Sequence, residues 1–292
     1  MKNISKIKII DDLIKLGIKK GDILYISADL LKVGYFDKNI DKFLNDWVEI
    51  FLSVVGDKGT LIVPSHTESF LKYKKNKKII FKESSPTNSG SLSRAFLCYK
   101  DRIRSKHPTN SYVSLGKYSN EILKDHNEHS LSYTHFKKII DLNGRGLLLG
   151  NVNKNGFFPY HYVQEKLHIT KKFFLSGKYQ SYYYDKKNKV RLFTRNDYGG
   201  CDRSNANFID DFNAIGALNI GQVGNTTAIL YDSKKIYDFF CESFKNQDKK
   251  LSCNRKTCFT CFQLLKKRKI DTIFFLIKNL THILITIKKL FK

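Results

Sequence analysis

The chain has 292 residues, 41% of them hydrophobic, and only four prolines. That is enough to bury one substantial core, and it argues against tandem repeats or disordered spacers. The formal charge of +25 points toward anionic ligands or surfaces, but the 52 Lys and Arg are spread along the chain. No nucleic-acid-binding module appears among them, so no nucleic-acid partner is expected.

Ile4 to Leu16 has helical apolar spacing and stops at Gly17, a C-terminal cap. No signal-peptide core occurs in residues 1–12, which predicts a cytoplasmic location. Asp22 to Leu30 reads as a strand leading into a turn or helix, and Ile40 to Val55 as an amphipathic helix burying Trp47, Ile50, Phe51 and Val54. After the turn Gly56–Gly59, Thr60 to Val63 is a second buried strand. Strand, helix, strand at this spacing predicts parallel pairing. Ser89 to Leu97 reads as a short helix, Arg104 to Ser111 as an extended element, and Leu147 to Leu149, bounded by Gly146 and Gly150, as a third central strand. Residues 172–196 alternate aromatic and polar groups around Asp185–Asn188, as a β-hairpin does, and Ile215 to Ile229 mixes short strands with glycines. Lys234 to Phe244 is a late helix. The fold class is therefore α/β, with a mixed, largely parallel central sheet and flanking helices.

Chemistry concentrates after the third strand. In Pro159-Tyr160-His161-Tyr162-Val163-Gln164-Glu165, His161 and Glu165 are four apart and share a helix face. A histidine beside a carboxylate is the minimal apparatus of a general base. Upstream lie Arg104-Ser105-Lys106-His107-Pro108, the segment Ser85-Pro86-Thr87-Asn88-Ser89-Gly90, the strand Asp22–Leu30 and the loop Ser65-His66-Thr67. In this order and spacing, over roughly residues 8–250, the chain resembles the aminoglycoside 3-N-acetyltransferases. The Arg-Ser-x-His-Pro element, the Leu-Leu-Leu-Gly strand and the histidine after it carry the resemblance.

The resemblance implies acetyl transfer from acetyl-CoA to a primary amine, with acetyl-CoA as co-substrate and no metal. It implies His161 as base, with Gln164 or Glu165 as its partner. The family carboxylate three residues after the histidine is replaced here by Gln164, with Glu165 one further; Ser27, Asp29 and Leu30 stand where the family reads His, Ser and Leu. Asp29, Leu30, Arg104, Ser105 and His107 are expected toward the cofactor, Arg104 because a guanidinium matches phosphate bidentately. Backbone N–H groups near Asp29 to Leu31, or the loop Ser65–Thr67, are candidate oxyanion donors. The acceptor is expected to be a small-molecule amine, an amino sugar. The positive charge favours an anionic nucleotide-sugar of surface-glycan synthesis over a polycationic aminoglycoside, the alternative. A non-enzymatic scaffold in glycan assembly is the alternative of another class, suggested by Gln164 and Ser27.

Residues 1–250 are expected to form the catalytic domain and 251–292 a basic amphipathic tail. Cys253, Cys258 and Cys261 are spaced C-x4-C-x2-C, but a structural zinc needs four ligands and His282 is distant. With Cys98, Cys201 and Cys241 scattered, all six read as reduced thiols. From Leu264 onward, Lys266, Lys267, Arg268, Lys269, Lys288, Lys289 and Lys292 alternate with apolar residues. That pattern fits peripheral contact with an anionic membrane, or equally packing on the domain or a homodimer partner.

Overall fold

The structure, a computed structural model, describes residues 4–150, 152, 156–168, 179–197, 201–253, 255, 257–258, 261–262, 269–281 and 284–285. Helix α1 (Lys6–Lys15) begins at Ser5, whose hydroxyl accepts the Lys8 N–H, and ends before Gly17, where φ is +104°. Strand β1 (Ile23–Ala28), the short α2 (Leu30–Val33), α3 (Ile40–Val55) and β2 (Thr60–Pro64) follow. Next come β3 (Phe70–Leu71), β4 (Ile80–Phe81), α4 (Ser91–Cys98), β5 (Ile103–Arg104) and β6 (Tyr112–Gly116). Helices α5 (Ser119–Leu123) and α6 (Phe136–Asp141) lead to β7 (Arg145–Leu149) and α7 (Pro159–Lys166). The chain continues through β8 (Tyr179–Tyr184), β9 (Val190–Thr194), a 3-10 helix (Asp202–Phe208) and α8 (Ile209–Ala214). The hairpin β10 (Leu218–Val223) and β11 (Thr226–Asp232), α9 (Ser233–Lys245) and α10 (Lys269–Lys278) complete it.

A seven-stranded sheet runs β10-β11-β7-β1-β2-β6-β5. Its central strands are almost wholly apolar because both faces are covered. Alternate side chains enter opposite layers: Leu24, Ile26, Leu61, Val63, Leu147 and Leu149 pack under α1, α3 and α4. Ile23, Ile62 and Leu148 pack with α6, α7 and α9. Trp47 and Phe51 of α3 are fully buried in the first layer, each contributing about 1.5–3 kcal/mol. Gly146 lies against Tyr231 so closely that a Cβ there would overlap its ring.

The sheet is mixed, as expected, but parallel pairing is confined to β2-β1-β7. The outer pairings are antiparallel. Antiparallel neighbours need only a short link, and β10 turns into β11 through Gly224 and Asn225. The predicted hairpin is present as β8 and β9 about Asp185–Asn188, and it joins β3 and β4 in a smaller sheet. Its expected opening, residues 172–178, lies outside the described residues.

Cys201 does not stand apart. Its sulfur and those of Cys253, Cys258 and Cys261 all lie within 4.8 Å of one another. The fold thus supplies the fourth thiol that sequence spacing did not reveal. Leu251, Cys253 and Cys261 are buried in the second core layer, so the opening of the expected tail packs on the domain. Further on, α10 exposes Ile273, Phe274 and Ile277, while Phe275 stacks on Phe262. Among the described residues no helix is long and apolar enough to cross a membrane. His282 and the basic residues 266–268, 288, 289 and 292 lie outside the described residues.

Candidate active site

Parallel strands gather their carboxyl ends on one edge of a sheet, and loops there form ligand crevices. Here a cavity of about 370 Å³ opens at the ends of β1 and β2, beside the start of α7. Tyr25 and Ser27 come from β1, Pro64 and His66 from the end of β2, Phe158 from the cap of α7 and His161 from α7 itself. Tyr112, Tyr133 and Phe136 close one wall; Asn88, Ser89 and Asn205 add polar groups. Asp202 is the one carboxylate among the described lining residues, which include no lysine or arginine.

The start of α7 is fixed twice. Pro159 takes the first helical position, where its missing N–H costs nothing. The Phe158 N–H, which has no intrahelical partner, donates to the Tyr231 hydroxyl at 3.2 Å. His161 then faces the cavity, half-buried, with its ring stacked on Tyr133 at 5.0 Å and 22°. Its Nδ1 lies 2.9 Å from the Gln164 side-chain oxygen. An amide oxygen only accepts, so Nδ1–H donates and Nε2 is left with the lone pair that takes a proton.

Glu165 turns elsewhere. It is 2% exposed, and its Oε2 accepts the Tyr133 N–H at 3.2 Å while Oε1 has no partner among the described residues. Burial, reinforced by the nearby Asp197 charge, pushes its pKa up to about 8. Of the two neighbours expected to serve His161, Gln164 makes the contact. Glu165 instead holds the segment that presents Tyr133. A folded-state pKa near 8 against an ordinary 4.5 means that the folded chain keeps a proton which the unfolded chain has lost. That stability is fully present below the lower value and vanishes as pH rises through the higher. Glu165→Gln cannot titrate. Its melting temperature relative to the parent is therefore expected to improve from about pH 5 to about pH 9. A difference that stays flat across this range shows that the carboxyl is ionised throughout.

The residues expected toward the cofactor lie outside this cavity. Arg104 is 5% exposed. Its guanidinium donates to the carbonyls of Ser65 (3.0 Å), Glu83 (2.8 Å) and Ser85, and to the Ser111 hydroxyl (3.2 Å). Burial pushes its pKa down to about 10, so it remains charged at neutral pH. A guanidinium so engaged ties loops together. Ser105 accepts the Tyr112 N–H and contacts His126 Nδ1. His107 is fully buried, accepts the Thr109 and Asn110 N–H groups, and stacks on His126 at 4.9 Å. Both are occupied within the fold. Leu30 is a core residue, 4% exposed, and Asp29 pairs with Lys32 at 3.5 Å.

Four of the expected oxyanion donors have partners within the fold. The Asp29 N–H donates to Leu149, Ser65 to Ser111, His66 to the Ser89 hydroxyl and Thr67 to Thr109. The His66 ring, however, lines the cavity, and its Nε2 is buried without a partner among the described residues. Burial, with Arg195 nearby, pushes its pKa down to about 4, so the ring is neutral. Tyr133, Tyr25, Asp202 and Asn205 were not anticipated. They reach the cavity from α6's approach, β1 and the 3-10 helix, and no local motif marks them.

The aminoglycoside 3-N-acetyltransferase family profile matches residues 26–245. Aminoglycoside N(3)-acetyltransferase IX of Micromonospora chalcea is 27% identical over 165 residues, 50% of this chain and 57% of that protein. The chain spans about half the length of the curated relatives it matches. Among solved structures, AAC-IIIb in binary complex with CoASH superposes with a TM-score of 0.69 at 18% identity, covering 84% of this chain and 98% of that one. AAC-VIa bound to sisomicin gives 0.67 at 18% identity, covering 84% and 99%. These likenesses show the fold. Taken with the profile match over most of its length, they show that the chain belongs to the aminoglycoside 3-N-acetyltransferase family.

Proposed function

We propose that the chain transfers acetyl from acetyl-CoA to a primary amine of an amino sugar, with aminoglycosides as the acceptor class. The observation that carries this reading is His161, with Nδ1–H held by Gln164, in a cavity whose described walls include a carboxylate and no cationic side chain. An acceptor ammonium is attracted there by Asp202, and aromatic walls such as Tyr133 and Phe158 suit the faces of sugar rings. A nucleotide-sugar phosphate finds no lysine or arginine among those walls, which supports the aminoglycoside over the anionic acceptor expected from net charge. The CoASH and sisomicin complexes of proteins with this fold support the same pair of substrates.

In this mechanism acetyl-CoA supplies the activated acyl group. His161 Nε2 removes the proton from the attacking amine. Gln164 orients the ring but adds no charge to steady the imidazolium, a role a carboxylate fills elsewhere. Asn88 and the neutral His66 ring line the cavity as groups that can hydrogen-bond the oxygen that becomes negative. The reading carries a cytoplasmic location, supported by six free cysteines. It also carries peripheral contact of the tail with anionic membrane, or a homodimer. The exposed Ile273, Phe274 and Ile277 of α10 support such contact, and vesicle co-sedimentation measures it.

Thiol release from acetyl-CoA tests the activity. Release is expected with sisomicin and not with a nucleotide-linked amino sugar. Release only with the nucleotide-sugar reverses the acceptor assignment, and no release with any amine favours the scaffold.

A further inference from the structure

The four clustered cysteines stand away from the reaction proposed above. Cys201 immediately precedes the 3-10 helix Asp202–Phe208. Cys253 follows a short helical turn, Lys249–Leu251, and Cys258 and Cys261 form a C-x2-C pair. None is in a disulfide. We infer that these residues are a tetrathiolate site for a structural zinc ion, which clamps the segment after α9 to the wall of the cavity.

The geometry suits the ion. Four sulfurs about 2.3 Å from a tetrahedral zinc stand about 3.8 Å apart, and here every pair is within 4.8 Å. The C-x2-C spacing is that of zinc-binding turns, in which backbone N–H groups point at the sulfurs. The same feature is present here. The Cys253 N–H donates to Cys261 Sγ at 3.2 Å. Such bonds steady thiolates rather than thiols. Binding releases four protons and leaves Zn(S–Cys)4 with two negative charges. Basic residues in the same stretch of sequence, Lys249, Arg255 and Lys256, carry the opposite charge.

The site also has a structural task. Ser204, in the turn that follows Cys201, bonds the Tyr160 hydroxyl at 3.0 Å, one residue before His161. Asp202 and Asn205 of that turn line the cavity. No backbone ladder ties residues 253–261 to this turn among the described residues; Asn207 reaches the carbonyls of Lys250 and Ser252. A zinc ion at the four sulfurs links both segments directly.

The test uses the full chain, purified from zinc-replete cells without chelator. Elemental analysis is expected to find about one zinc per chain. Replacing it by Co(II) is expected to give the visible bands and near-ultraviolet charge-transfer absorption of tetrahedral thiolate coordination. The charge-transfer intensity should fall in Cys201→Ser in proportion to the loss of one thiolate. The double variant Cys258→Ser/Cys261→Ser should hold no zinc. Parent protein with four titratable thiols, no zinc and no Co(II) uptake overturns the inference. So does iron in place of zinc, or full zinc retention in the double variant. The parent measurements decide the matter even if a variant fails to fold, and none of them depends on acetyl transfer.

Discussion

Replacing His161 by alanine is expected to lower acetyl transfer about 10²–10⁴-fold while acetyl-CoA binding persists. The ring lines the cavity, stacks on Tyr133 and presents Nε2 as its free acceptor because Gln164 takes Nδ1–H. Alanine removes the proton acceptor and leaves Pro159 and the Tyr231 contact that begin the helix. Steady-state kinetics with sisomicin, alongside calorimetry of acetyl-CoA binding, measures the two separately. A kcat close to the parent's removes His161 from the chemistry. Loss of acetyl-CoA affinity in parallel with kcat assigns it to binding instead.

Arg104→Ala is expected to destabilise the chain by several kcal/mol, measured by urea unfolding. Each buried acceptor left without a partner costs about 1–3 kcal/mol. The guanidinium serves three carbonyls, of Ser65, Glu83 and Ser85, and the Ser111 hydroxyl. Against a total stability of about 5–15 kcal/mol, that loss is large. It falls where the end of β2 meets the loop carrying Glu83 and Ser85, so His66 loses its support as well. An unchanged unfolding midpoint combined with weaker acetyl-CoA binding returns Arg104 to the cofactor.

The central elements were legible because their signals are local. Helix α3 has the bounds that its apolar period predicts: Asn39 caps it by accepting the Lys42 N–H, and Gly56 stops it. The glycine-bounded leucines of β7 read as a buried strand, and they form one. Helices α5 and α6 span five and six residues, too few for an amphipathic period to stand out. His161 and its partner were legible as a set, since residues three and four along share its helix face. Which of the two turns toward the ring depends on Tyr133 and Asp197, which are distant in sequence. Arg104 illustrates a different limit. A guanidinium suits a phosphate or a set of carbonyls equally well, and only burial separates the two. Cys201 shows the same limit in another form, because spacing rules see ligands only when they are close along the chain.

Gly146 carries a cost that its position conceals. Any side chain there would drive into the ring of Tyr231, whose hydroxyl holds the first N–H of the helix bearing His161. The residue is outside the cavity lining, yet its alphabet is as short as that of a catalytic group. Drift that a buried strand elsewhere absorbs by repacking is closed at this site. The heritable constraint on the base is thus written partly in the next strand, in an amino acid with no side chain at all.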